Sequence, residues 1–426
     1  MLITGATLPD GRIRDVRIEG ETITEIGEML STTAEERSID ASGKRLMPGM
    51  IDVHVHFRQP GYSHKETWAS GSKSAAAGGV TTVVDQPNTE PPTIDGARFD
   101  DKEGLAADSL VDFGINGGVT EQWVPGELFD RPLFALGEVF LADSTGNMGI
   151  DADLFADAVL RASDRDVTVT VHAEDATRFN ESARERDDAD AWSAYRTPQA
   201  EIDAVRRACT VANDHDAQIH VAHTSTPEAI DIAADAGMTC EVTPHHLFLS
   251  RDDLPELGTF GRMNPPLRRE TRRRKVFERL ADGTVDVVAT DHAPHTRAEK
   301  DASIWDAPSG VPGVETALPL LLNEAREGTL SYERVRDLTA ANPAALFDLS
   351  NKGRIEEGFD ADLVVVDPAD PRPIRGEETH TNCDWTPFEG MHAVFPELTM
   401  VRGTVVYEHR REELFGEPVG ENVRRV

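Results

Sequence analysis

The 426-residue chain carries 77 acidic side chains against 43 lysines and arginines, a formal net charge of −34. A single core seldom extends past about 250–300 residues, so one large domain with a smaller companion is expected. A hydrophobic content of 39% argues against disorder, the negative field argues against nucleic acid as a partner, and no apolar run approaches the ~18 residues of a membrane span.

Met1–Gly5 does not read as a signal peptide. Three scattered cysteines (Cys209, Cys240, Cys383) make neither a disulfide framework nor a thiolate metal site, so a soluble, cytoplasmic protein is expected. In chain order, the first element is RIRDVRIEGETITEIG at 12–27, which alternates at period two and breaks at Gly20-Glu21, the pattern of a small antiparallel sheet. Eight short apolar runs ending in polar residues follow, at 47–57, 78–88, 111–119, 133–143, 167–175, 217–225, 238–247 and 284–295. Helix-like stretches at 152–163 and 198–214 separate several of them. Strands alternating with helices pair in parallel, and eight such units over about 250 residues predict an α/β fold, a closed (β/α)8 barrel. A doubly wound open sheet would want a glycine-rich phosphate turn after its first strand, and none is present. Near the C-terminus, DLVVVDP at 362–368 and TMVRGTVVYE at 399–408 again read as antiparallel strands. The expected organisation is a catalytic barrel over 47–346, inserted between residues 1–46 and 347–426, which together build a small β-sandwich domain.

Active sites of such barrels lie at the C-terminal ends of the strands. The first run ends in His54-Val55-His56, and residues i and i+2 of a strand share a face, so both imidazoles point into the barrel mouth. The fifth run ends in His172, the sixth in His223 and the eighth in Asp291. A lone histidine is most often structural, but four histidines and an aspartate at four separate strand ends read as a divalent transition-metal site. The absence of cysteine ligands makes it catalytic rather than structural.

These motifs carry a resemblance. Asp52-Val53-His54-Val55-His56-Phe57-Arg58-Gln59-Pro60-Gly61 resembles the first signature of dihydroorotases, and Ala289-Thr290-Asp291-His292-Ala293-Pro294-His295, followed after four residues by Lys300, resembles the second. Pro87-Asn88-Thr89, His172-Ala173-Glu174-Asp175, His223-Thr224-Ser225, Met263-Asn264-Pro265-Pro266-Leu267-Arg268 and the segments 310–316 and 353–367 fit in the expected order, so the resemblance covers nearly the whole chain. It implies an amidohydrolase-superfamily enzyme that interconverts N-carbamoyl-L-aspartate and L-dihydroorotate in pyrimidine synthesis. It further implies that His54, His56 and Asp291 hold one metal ion and His172 and His223 a second, zinc being expected. A metal pair acidifies a shared water and polarises the scissile carbonyl. Asp291 would then take the water's proton and deliver it to the leaving ring nitrogen. Arg58, two residues beyond His56, suits the ring carboxylate, which a guanidinium grips with two parallel hydrogen bonds; its bland alternative is a surface salt bridge. The resemblance adds Asn88 and His295 to that grip, and Asn264 either contacts substrate or simply turns the chain before Pro265-Pro266.

Two readings compete with the leading one: another cyclic amidase, such as an allantoinase or hydantoinase, and a non-catalytic dihydroorotase-like partner of aspartate carbamoyltransferase. Arg58 disfavours the first and the complete ligand set the second. Homo-oligomerisation and association with that transferase are left open. The sequence departs from the superfamily pattern in one respect. Many members bridge their metals with a carboxylated lysine on the fourth strand, but no lysine lies between Lys102 and Lys275. Glu138 stands where that lysine would fall and is the expected bridge, with Asp143, no protein bridge or a single metal as alternatives. His245 and His246 are expected at the end of the seventh strand, in support of the site or in packing. The acidity, with seven lysines against 36 arginines and no acidic block, reads as the solvated surface of a halophilic protein rather than a cation-binding face.

Overall fold

The computed structural model describes residues 1–33, 36–142, 148–409 and 412–425. Eight short strands, one from each expected run, form the centre: Met50–Val55, Val80–Asp85, Asp112–Ile115, Leu136–Phe140, Val169–His172, Ile219–Val221, Thr239–Val242 and Val287–Val288. All pairings among them are parallel, the first three in one group and the last five in another. Two isolated bridges close the ring, Gly117 to Leu136 and Val55 to His292. They are carried by hydrogen bonds from the Gly137 N–H to the Gly117 carbonyl (2.7 Å) and from the His56 N–H to the His292 carbonyl (2.8 Å). Strands covered on both faces are buried along their whole length, as Val80–Asp85 is, with Val80, Val83 and Val84 in the apolar clusters and Thr81, Thr82 and Asp85 buried beside them.

The helices form where caps and periodicity coincide. Pro198–Asp214 starts with the Thr197 side chain accepting from the Ala200 N–H and with proline in the first turn. Val205, Cys209 and Ala212, four and three residues apart, bury one face against the barrel. Ala152–Ser163 matches the expected 152–163 and is capped by Asp151. The seventh strand stops at Val242, earlier than its apolar run. Pro244 and the Thr243 cap start a one-turn helix, Pro244–Phe248, so His245 and His246 are helical rather than strand-end residues. Among the described residues no helix is long and apolar enough to cross a membrane.

Strands from both ends of the chain share one sheet. Leu2–Thr7, Ile13–Glu19, Thr22–Gly27, Ser38–Asp40 and Arg45–Pro48 join Leu363–Val366, Pro396–Val401, Thr404–His409 and Glu413–Phe415. Period-two alternation makes this sheet serve two cores. Leu363 and Val365 pack with Ile3, Val16, Ile18 and Leu46 in the sheet's own cluster, whereas Val364 and Val366 pack with Met47 in the barrel's cluster.

A buried ammonium fastens the two. Lys352 Nζ lies 2.8 Å from Asp112 Oδ2 on the third barrel strand, 2.7 Å from Asp362 Oδ2 and 3.1 Å from Asp360 Oδ2 beside the sheet. Removing the cation leaves the buried Asp362 without a cationic partner among the described residues, while Asp112 keeps only Arg402. Lys352→Met is therefore expected to cost about 3–5 kcal/mol, read as a lower midpoint in urea denaturation at fixed high salt.

Candidate metal centre

The site is assembled at the C-terminal ends of the barrel strands, where the alternation of the first strand turns His54 and His56 to the same side with ring centroids 5.3 Å apart. Both rings are held by their far nitrogens. His54 Nδ1 lies 2.6 Å from Glu241 Oε1 and His56 Nδ1 lies 2.7 Å from Asn88 Oδ1. Each of these partners is an acceptor, so the proton sits on Nδ1 and the Nε2 lone pairs face inward. His56 Nε2 is 3.0 Å from Asp291 Oδ1. His54 Nε2 is buried without a hydrogen bond, aimed between Asp291 Oδ1 (3.7 Å) and Glu138 Oε2 (3.4 Å).

A second set of donors converges across Glu138. His172, the last residue of its strand, places Nε2 2.9 Å from Glu174 Oε2, and Arg196 grips the same oxygen. That arrangement leaves His172 Nδ1 facing His223 Nε2 at 3.0 Å and Glu138 Oε1 at 2.9 Å, while His223 Nε2 is 2.5 Å from Glu138 Oε1. Ligand atoms of His54, His56 and Asp291 lie within 4.8 Å of one another, as do those of His54, Glu138 and His223. Glu138 thus turns one oxygen toward each set.

The electrostatics match a cation-binding centre. Burial works against charge on His172, but its hydrogen bonds to the Glu138 and Glu174 carboxylates, which accept from the ring, lift its pKa to about 9. Burial likewise opposes charge on His54 and Glu138, yet Glu241 and Glu138 hold His54 well above the ordinary imidazole value, and His223 and His54 hold Glu138 well below the carboxylate range. Protons and a metal ion compete for the same inward lone pairs. The unpartnered buried Nε2 of His54, the all-nitrogen and carboxylate donor set and the fixed tautomers fit divalent metal. Three of these residues hold left-handed backbone, Arg58 at φ 66°, His223 at 33° and Asp291 at 45°. Non-glycine residues adopt it at a cost of about 1–3 kcal/mol each and persist there only where their surroundings fix them. At Asp291 the fixing comes from Thr290, whose N–H and hydroxyl donate to Asp52 at 3.0 and 2.6 Å.

Beside the donors lies a cleft of about 310 Å³ lined by Arg58, Asn88, Asn264 and Gly310 among others. Arg58 is 3% exposed, and its nearest polar contacts are the Pro294 carbonyl and the His295 ring, both at 3.3 Å. Among the described residues no carboxylate pairs with it, which removes the surface-salt-bridge alternative. His295 donates from Nε2 to the Ser309 carbonyl (2.9 Å) and accepts from Lys65 Nζ at Nδ1 (3.1 Å). Burial first, then the Arg58 and Lys65 charges, keep its pKa well below the ordinary value, so it is a neutral ring. Asn264 Oδ1 accepts from Trp192 Nε1 at 3.0 Å, which turns its amide nitrogen away from that contact. Asp143 lies outside the described residues.

Every other residue singled out from the sequence for metal or substrate comes to this one mouth, as lining of the cleft or in contact with it. Sequence reasoning did not assign Glu241, Glu174, Lys65 or Gln86. Gln86 Oε1 accepts from the Glu138 N–H at 2.8 Å and so orients the strand that carries Glu138. A charged residue flanked by apolar ones in a buried strand, as Glu241 is by Cys240 and Val242, is the signal that could have found it.

Residues 45–406 match the family model described as "Amidohydrolase family". The chain is 66% identical over 426 residues to a dihydroorotase of Halobacterium salinarum, with both chains covered in full. It is 44% identical to a dihydroorotase of Methanosarcina acetivorans over 93% of this chain and 89% of that one. Among solved structures it is similar to the L-hydantoinase of Arthrobacter aurescens, with a TM-score of 0.93, 28% identity and 98% of each chain covered. The dihydropyrimidinase of Brevibacillus agri gives 0.90 at 27% identity, covering 99% of this chain and 98% of that one.

A buried guanidinium without a carboxylate is a site prepared for an anion at the expense of stability. Arg58→Met is expected to raise the stability of the metal-loaded, ligand-free protein by about 1–3 kcal/mol, seen as a higher melting temperature, while abolishing anion binding.

Proposed function

The chain belongs to the amidohydrolase family and catalyses the dihydroorotase reaction, and from that premise we propose that it does so with two zinc ions held by the two donor sets. His54, His56 and Asp291 would hold one ion and His172 and His223 the other, with Glu138 placed between the two sets as the shared carboxylate. The observation that carries this reading is the placement of Glu138, whose Oε1 is 2.5 and 2.9 Å from His223 and His172 and whose Oε2 is 3.4 Å from His54. A glutamate needs no carbon dioxide to become an anion, so it replaces the carboxylated lysine that this sequence does not supply.

When bound, the ions supply Lewis acidity toward water and the amide carbonyl. The chain's own residues do the rest. Arg58 takes the substrate's ring carboxylate in a bidentate grip, with Asn88, Asn264 and His295 completing the polar wall. His295 is neutral, so it orients the carboxylate by hydrogen bonding without adding a second full charge. Asp291, its pKa held below the usual range against burial by the His56 contact, is an anion ready to accept a proton. In hydrolysis it takes the proton of the attacking water and passes it to the ring nitrogen as the C–N bond breaks; in cyclisation the transfers reverse. The acid-rich surface suits a salt-rich cytoplasm, consistent with the 66% identity to a Halobacterium salinarum relative. Similarity to hydantoinases is a likeness of fold at under 30% identity, and Arg58 favours a substrate with a ring carboxylate.

Metal analysis of the purified protein is expected to find two zinc ions per chain, and Glu138→Ala to retain at most one with turnover reduced at least about 100-fold. One ion per chain in wild type, unchanged in the variant, would refute the bridge. For Arg58→Lys, steady-state kinetics on dihydroorotate at high salt should show KM raised about 10- to 100-fold, the loss of a charge-assisted bidentate contact, with no gain toward hydantoin.

A further inference from the structure

We propose that Glu241 is a positioning residue shared by both metal subsites, one buried carboxylate that fixes the imidazole of His54 and the backbone of His223 together. This rests on the dinuclear reading above and extends it to a residue outside both donor sets. Glu241 sits on the seventh strand, 1% exposed, behind the metal ligands. Its Oε1 accepts from His54 Nδ1 at 2.6 Å and from the His223 N–H at 3.1 Å. Its Oε2 lies 3.2 Å from His220 Nε2, whose other nitrogen pairs with Thr239 Oγ1 at 2.8 Å. The main chain joins in, since the Thr224 N–H donates to the Glu241 carbonyl at 2.8 Å.

Each contact has a separate consequence. The acceptor at Nδ1 puts the His54 proton there and leaves the buried Nε2 as a lone pair aimed between Asp291 and Glu138. A carboxylate behind an imidazole also makes it a stronger donor to metal. The bond to the His223 N–H anchors a residue whose φ of 33° lies in the left-handed region, which a non-glycine residue adopts only at a cost, and that conformation brings Nε2 to 2.5 Å from Glu138. Glu174 offers the contrast. It orients His172 through Nε2 and touches no other member of the donor sets. Loss of the Glu241 carboxylate therefore weakens both subsites, and loss of the Glu174 carboxylate weakens one.

The test is metal retention by the intact holoprotein dialysed against a series of zinc buffers, with metal per chain measured by mass spectrometry. Wild type retaining two ions secures the dinuclear premise; a single ion in wild type would overturn that premise and the shared role with it. Given two, Glu241→Gln is expected to release both at free zinc about 10- to 100-fold higher than wild type, and Glu174→Gln to release only one early. Wild-type retention in Glu241→Gln, or early loss of a single ion, refutes the inference while leaving the dinuclear site standing. The wild-type protein provides a reading that does not depend on a variant folding. With 15N-labelled histidine, the His54 signal, identified by its disappearance in His54→Gln, is expected to carry its proton on Nδ1; a proton on Nε2 overturns the proposal.

Discussion

Glu138 lies within 3.4 Å of three buried imidazoles, and much of the architecture around the barrel mouth follows from compensating that charge. A carboxylate in such a place is tolerable only if cationic or hydrogen-bond-donating groups surround it, and the imidazoles are tolerable only if acceptors fix their outer nitrogens. Acids and bases therefore alternate outward from the centre: Glu138 meets His172, His172 meets Glu174, and Glu174 meets Arg196. The same order runs from His54 through Glu241 to His220. Each chain of contacts ends on a residue anchored in the strand layer or the surrounding helices. The positive-φ positions at His223 and Asp291 then read as accommodations of the backbone to this alternation.

Much of this was legible in the sequence because its periodicities are local. All eight barrel strands fall inside the eight apolar runs, and the helices at 152–163 and 198–214 begin on caps that can be read from Asp151 and Thr197. The candidate ligands were legible for a related reason. In a parallel barrel every strand ends on the same side, so knowing that His54, His172, His223 and Asp291 end their strands is enough to bring them together. The contacts behind the ligands depend on register between distant segments. His54 and Glu241 are 187 residues apart and Lys65 and His295 are 230 apart, and nothing local distinguishes Glu241 from an edge-strand acid except its apolar neighbours. The helical turn at His245-His246 has a local signal, the Thr243 cap and first-turn Pro244, which stop the strand at Val242 inside the run at 238–247.

The net charge and the site obey different rules, and the lysines show where they part. Arginine supplies most of the cations in the surface ion pairs, where its planar fork matches a single carboxylate, as Arg131 does with Asp100 and Arg279 with Asp231. Three of the seven lysines are instead buried. Lys300 Nζ donates to the carbonyls of Arg262, Pro308 and Gly310 at 3.0–3.1 Å, Lys352 meets three aspartates, and Lys102 meets Asp85 and the Gln86 carbonyl. A compact ammonium with three donors on a tetrahedral centre can satisfy acceptors arranged around a point, which a flat guanidinium cannot. The composition therefore excludes lysine from most of the surface and keeps it where that geometry is required. The position between the two donor sets, held by Glu138, has a different requirement, an anion with an oxygen toward each side. Glutamate provides that anion directly, so the fourth strand can do without lysine while the walls of the cleft, through Lys300 and the 308–310 segment it holds, cannot.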